Sequence, residues 1–299
     1  MSIVIGISPA HETHEGVGLA TLVARSTGLD VVVVAVVPEP WKGRALTVDR
    51  DYQDYLAEQA EETLTAARAL FPPDVACRTA VRRAASASQG LLDAVREFSS
   101  PVLVLGSSSS SLLGRIGLGS VTERLLHSSP VPVAVAPHGY VAPSAERIDR
   151  VSIGFIGDAD EASVVARAGT VAAQIGAAVR LVSFAVRPAQ PVTSSIGTEA
   201  EDEIVDSWAA ELADIGTELG DALSALPNPP SQEPPAFGRG VTWDEALAGV
   251  PWREHDVLVV GSSRTAGAIG VFLGGTASKI ARHSPVPVVV VPRRRDETG

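Results

Sequence analysis

The chain has 299 residues, of which 45% are hydrophobic and only 4% aromatic, and a formal net charge of −11 at pH 7. That length implies two domains of about 150 residues each, and the apolar content excludes a disordered chain. The acidic balance disfavours nucleic-acid partners, which draw on positive surface. Lys42 and Lys279 are the only lysines, and neither completes a G-x-x-x-x-G-K-[ST] loop, so a P-loop is excluded.

The single cysteine, Cys77, has no intramolecular partner, which suits a reducing cytosol. Within "VACRTAV" it reads as a small packing hydrophobe rather than a reactive thiol. The start, "MSIVIGISPAHE", lacks the basic region of a signal peptide. The apolar run "LDVVVVAVV" is shorter than the ~20 residues of a membrane helix. A cytoplasmic protein with no membrane partner is therefore expected.

In chain order, "SIVIGI" is an apolar run ended by Ser8 and Pro9 and reads as a buried strand. A helix follows over 15–27, then "LDVVVVAVV" as a second strand. Leu56, Ala60, Leu64, Ala67 and Phe71 recur at helical spacing. "DVACRTAV" is a third strand, "ASQGLLDAVREF" a helix and "PVLVLGS" a fourth strand. A short helix then leads to "VPVAVAP", the fifth. The rest of the chain repeats this order: strand 151–156, helix near 160–175, strand 179–186. A long helix follows, with Ile204, Trp208, Leu212, Ile215, Leu219 and Leu223 on one stripe. The Pro-rich "PNPPSQEPPAF" (227–237) stands where "FPPD" stands in the first half.

The repetition is literal in places. "VLVLGSS" (102–108) returns as "VLVVGSS" (257–263), and "LGSVTERLLHSSPVPVAVAP" (118–137) as "LGGTASKIARHSPVPVVVVP" (273–292), both offset by 155 residues. Two separated blocks with one offset indicate a tandem duplication. The joint falls in "HGYVAPSAERID" (138–149), giving domains 1–143 and 144–299. Alternating strands and helices with continuously apolar strands predict an α/β fold of two tandem parallel sheets covered by helices.

In such sheets ligands bind beyond the carboxyl ends of the strands, where the connection order reverses. The stretch "GSSSSSLLGRIGLGSVTERLL" (106–126) leaves such an end. Gly106 allows backbone to approach closely. Gly119 and Ser120 open a helix whose first amides favour an anion, and serine hydroxyls add uncharged donors. The competing reading makes Ser120 and Glu123 an S-x-x-E capping box and the serine run solvated turn. The residues alone leave the two evenly matched.

Gly106-x-x-Ser109, nine residues, then Gly119-Ser120 resembles the G-x-x-G-(nine residues)-G-[ST] signature of universal stress proteins. "LLHSSPVPVAVAP" is similar to that family's closing helix and strand, and the resemblance spans both halves. It implies two five-stranded, Rossmann-like domains of the adenine nucleotide α-hydrolase-like kind. It also implies ATP, with or without Mg2+, held by a stress-response regulator or sensor that is not an efficient enzyme. Carried over by position, Gly106 and Gly119 would give amides to the phosphates, Ser120 its amide and hydroxyl, and Val121 the next amide. Ser107 and Ser109 lie in the same loop, Ser109 standing where the family has its second glycine. Ile7, Ser8, Pro9 and Val36 would flank the adenine and ribose, Ser8 replacing the family's aspartate. The second half departs further: Arg264 and Gly275 replace the inner glycine and the Ser/Thr, Gly261 and Gly274 remain, and Ile156 takes the aspartate position. That half is expected to be structural or a weak binder. The resemblance further implies that the two fifth strands pair, docking the halves as an intramolecular pseudo-dimer, with a homodimer through the remaining surfaces as a further step.

Three alternatives stand beside this. One is a nucleotide-free interaction protein of the same fold; Ser8 and Ser109 favour it. The second is a hydrolase with true turnover, for which no catalytic set is found: "GSSSS" lacks the second glycine of a G-x-S-x-G elbow. The third is a metal site at His11 and His14, three residues apart but without a third ligand nearby, which reads more simply as a solvated helix start.

Overall fold

The computed structural model describes residues 1–8, 14–39, 47–108, 111–142, 146–157, 161–186, 198–262 and 275–292. The chain divides into two units, the first running from Met1 to Arg147 and the second taking up at Ile148.

In the first unit, β1 (Ile3–Ile7) leads through α1 (His14–Thr27) to β2 (Val31–Pro38), and α2 (Thr47–Ala69) to β3 (Cys77–Ala84). The chain then crosses by α3 (Ala87–Glu97) to β4 (Leu103–Leu105), and by α4 (Ser120–Ser128) to β5 (Val133–Val135). All pairings are parallel, in the order β3-β2-β1-β4-β5. Order reverses between β1 and β4, which places a crevice at their carboxyl ends. Val31 to Ala35 in β2 and Ile3 to Ile5 in β1 are fully buried. Helices cover both faces of these strands, so unbroken valine runs replace the alternation of a half-exposed sheet. On the expected helical stripe, Ala60, Leu64 and Ala67 are buried. The third strand begins at Cys77, three residues later than the sequence suggests, because Val75 closes a turn onto Pro72. Cys77 is half-buried, and burial pushes its thiol pKa up.

The second unit repeats the order with β6 (Arg150–Gly154), α5 (Glu161–Ile175), β7 (Ala178–Val186), α6 (Thr198–Ser224), β8 (Gln232–Gly240), α7 (Trp243–Ala248), β9 (Asp256–Gly261), α8 (Gly275–His283) and β10 (Val288–Val291). Its sheet is also parallel, in the order β10-β9-β6-β7-β8. The Pro-rich segment 227–237 holds much of β8. The pairing explains how. Glu233 lies opposite Arg180 and Ala236 opposite Val182, so Pro234 and Pro235 together face one residue of β7. The prolines form a bulge, the place where a strand bordering a sheet tolerates lost N–H groups.

The amino-terminal ends of these strands carry a buried ionic cluster. Arg150 donates to Asp256 at 2.7 Å and to Glu233 at 2.9 Å. Arg180 donates to Ser152 at 2.9 Å and stacks over Trp252 at 5.2 Å. Both guanidiniums also reach the Pro251 carbonyl. Burial pulls both arginines' pKa values down. At Arg150 the hydrogen bonds it donates to Asp256 and Glu233 reverse the sign, whereas Arg180, beside Arg150, stays lowered.

Candidate functional site

The first crevice lies at the ends of β1 and β4. Ile7 is buried at the end of β1, and exposed Ser8 follows it. Val36 is half-buried in β2, where its Cγ atoms lie against Gly90 of α3. Gly106 follows β4 directly. A Cβ placed on Gly16 of α1 would stand 3.2 Å from the Gly106 nitrogen, so the bare helix lets the loop pass close to α1. Pro9 and Ser109 lie outside the described residues.

The serines of this loop spend several of their polar groups on the loop itself. Ser107 Oγ accepts the Gly117 N–H at 2.6 Å, and the Ser107 and Ser111 hydroxyls lie 2.9 Å apart. Ser111 Oγ donates to the Ser108 carbonyl, and the Ser108 N–H donates to the Gly117 carbonyl. These bonds close a ring that brings Gly119 beneath the start of α4. The Gly119 N–H, expected to face a phosphate, instead donates to the Gly117 carbonyl at 3.2 Å. That tight turn takes it out of the donor set.

What remains open is the first turn of α4. Gly119 is the N-cap, extended at φ −69 and ψ 166, with no side-chain capping bond. Ser120 is therefore the first helical residue and not the cap, and the Ser120–Glu123 capping box does not form. The first backbone bond into the helix is from Glu123 to the Gly119 carbonyl. Among the described residues, the amides of Ser120, Val121 and Thr122 have no acceptor. Ser120 is exposed, and Val121 is half-exposed. Three amides at the positive end of a helix, without a side chain to cap them, suit an oxyanion.

The second crevice is built differently. Gly157 adopts φ +86, a left-handed turn that aims its N–H and that of Ile156 toward one point. The buried carboxylate of Glu161, in the first turn of α5, fills that nest: it accepts from Ile156 N at 2.6 Å and Gly157 N at 3.0 Å. A cavity lined by Gly154, Glu161, Gly261 and Ala277 measures about 30 Å3, room for a water. Gly275 opens α8; Arg264 and Gly274 lie outside the described residues.

The model of the universal stress protein family matches residues 1–137 and again 148–292. The chain belongs to the universal stress protein family. A universal stress protein of Mycobacterium tuberculosis is 33% identical over 298 residues, covering 98% of this chain and 100% of the relative. One from Mycobacterium bovis matches to the same extent. A universal stress protein from Archaeoglobus fulgidus shares the fold with a TM-score of 0.56 at 20% identity, covering 98% of this chain and 97% of that one.

Within this tandem universal stress protein the copies have diverged at their crevices, and not all of that was visible in the sequence. Glu161 was missed, its only signal being an acid five residues beyond the position of the family's aspartate. Trp208 sits on the predicted apolar stripe of α6 yet is 41% exposed, at the wall of a second cavity. Among the described residues no cluster of three or more metal-ligating side chains occurs, and no helix is long and apolar enough to cross a membrane.

Proposed function

We propose that this universal stress protein is a cytoplasmic stress-response regulator whose first unit binds an adenine nucleotide, ATP foremost, at the first turn of α4. The uncapped amides of Ser120, Val121 and Thr122 carry this reading. The Ser120 hydroxyl and the Ser120 and Val121 amides would hold phosphate oxygens, with Mg2+ able to share the polyphosphate charge. Gly106 leaves room for the chain beyond β4. Ile7, Ser8, Pro9 and Val36 would flank the base and ribose, Ser8 offering one polar group where the family has a carboxylate. A fold of the adenine nucleotide α-hydrolase-like kind would give the same placement.

Such a site acts by selection between states. A nucleotide that prefers the ordered loop shifts the population toward it, and by no more than its difference in affinity for the two states. The surface thereby altered would be read by a partner, by the pairing of the fifth strands in a pseudo-dimer, or by a second chain. The protein is a sensor in this reading, not a turnover catalyst.

A second reading, an interaction protein without nucleotide, is favoured by the ring of serine bonds, which holds the loop together with no ligand. Calorimetric titration of ATP into wild type and Gly119→Val separates the two. The extended backbone of Gly119 accepts valine, and among the described residues an added Cβ meets only the Ser108 Cβ, at an ordinary 3.5 Å, so the variant folds. Its branched side chain shields the open amides and lowers affinity at least about tenfold, the loss of one charge-assisted contact. Equal heats in both proteins end the nucleotide reading.

A further inference from the structure

We propose that the second unit binds a small, flat aromatic molecule without negative charge, in the cavity between the carboxyl ends of β6 and β7 and the helices α6 and α7. The cavity measures about 360 Å3, within the range of small-molecule sites. Its walls include Phe184, Trp208, Trp243, Leu212 and Ile215. The Phe184 and Trp243 rings pack against each other, 6.4 Å apart and tilted by 56°, as one aromatic wall. Trp208, on the same stripe of α6 as Leu212 and Ile215, lines this space with them and is 41% exposed. Aromatic walls on two sides favour a planar guest.

Charge decides against an anion. Glu211 lines the wall, and no cationic side chain does so among the described lining residues. Ile156 and Gly157, which also line the cavity, already donate their amides to Glu161. A phosphate or carboxylate here would meet the like charge of Glu211 and find those two amides already taken. A neutral ring meets no such repulsion, and a cationic one gains from Glu211 and the indole faces. The duplication has thus kept a crevice in the same place while its second copy changed ligand chemistry. This inference does not depend on nucleotide binding in the first unit.

Phenylnaphthylamine and its sulfonated analogue, anilinonaphthalene sulfonate, test it, because they differ by one negative charge. Titrated into the full-length protein, the neutral dye binds at one site with enhanced fluorescence and at least about tenfold more tightly than the sulfonate. Trp208→Ala weakens the neutral dye about tenfold, the loss of one aromatic face. Glu211→Lys, an exposed helical change that leaves folding intact, narrows or inverts the preference between the dyes. Gly119→Val leaves the neutral dye's affinity unchanged, so failure here is distinct from failure at the nucleotide site. Equal affinity for both dyes, displacement of the neutral dye by ATP, or no response to Trp208→Ala and Glu211→Lys overturns the proposal.

Discussion

The Ser107 hydroxyl oxygen lies 2.6 Å from the Gly117 backbone nitrogen and accepts its N–H across ten residues of chain. This bond fastens the loop that carries Gly119 to the start of α4. Ser107→Ala leaves the half-buried Gly117 N–H without its partner, a loss of about 1 kcal/mol. Urea unfolding reads that loss directly. Because the loop also sets the open amides, ATP affinity falls several-fold, and Ser107→Thr, which keeps the hydroxyl, restores most of both.

Much of the architecture is written in repeated patterns. "VLVLG" and "VLVVG" are fully apolar because helices bury both faces of the strands they form, and their shared offset reveals the duplication. The site is less legible. Whether Ser120 or Gly119 caps α4 depends on one residue's backbone angle, which the S-x-x-E pattern does not encode; the loop bonds drawn by Ser107, Ser108 and Ser111 decide it. Pro234 and Pro235 conceal β8 for a similar reason. Adjacent prolines argue against a strand unless the strand borders a sheet and bulges there, a fact of pairing and not of composition.

Asp256 is fully buried between Arg150 and Arg180. Asp256→Asn preserves its shape but leaves two buried guanidiniums short of a counter-charge. Removing one partner of a buried ion pair costs about 3–5 kcal/mol. Chemical denaturation followed by tryptophan fluorescence, with Trp252 beside the cluster, shows the second unit unfolding at a markedly lower denaturant concentration.

Glu233 sets part of the acid limit of stability. Hydrogen bonds from Arg150 and then Arg253 hold its carboxyl below the ordinary value of 4.5. The unfolded chain therefore takes up this proton at a higher pH than the folded one. The stabilisation is complete above about pH 4.5 and is lost as the pH falls through the lower folded value. Asp74, lowered by its hydrogen bond with Arg25, acts in the same direction, but it is exposed and screened. Glu233→Gln reduces stability at neutral pH and flattens the acid limb, so the two proteins converge once the pH has fallen below the folded value, in denaturation series across pH.

The central claim is that the first turn of α4, and not its repeat at α8, receives the phosphates. Amide chemical shifts of 15N-labelled protein titrated with ATP test it most directly. The account predicts that the Ser120, Val121 and Thr122 amides move together and saturate while those of Gly275, Thr276 and Ala277 stay in place. Unmoved Ser120–Thr122 amides, or equal movement at both helix starts, would contradict it.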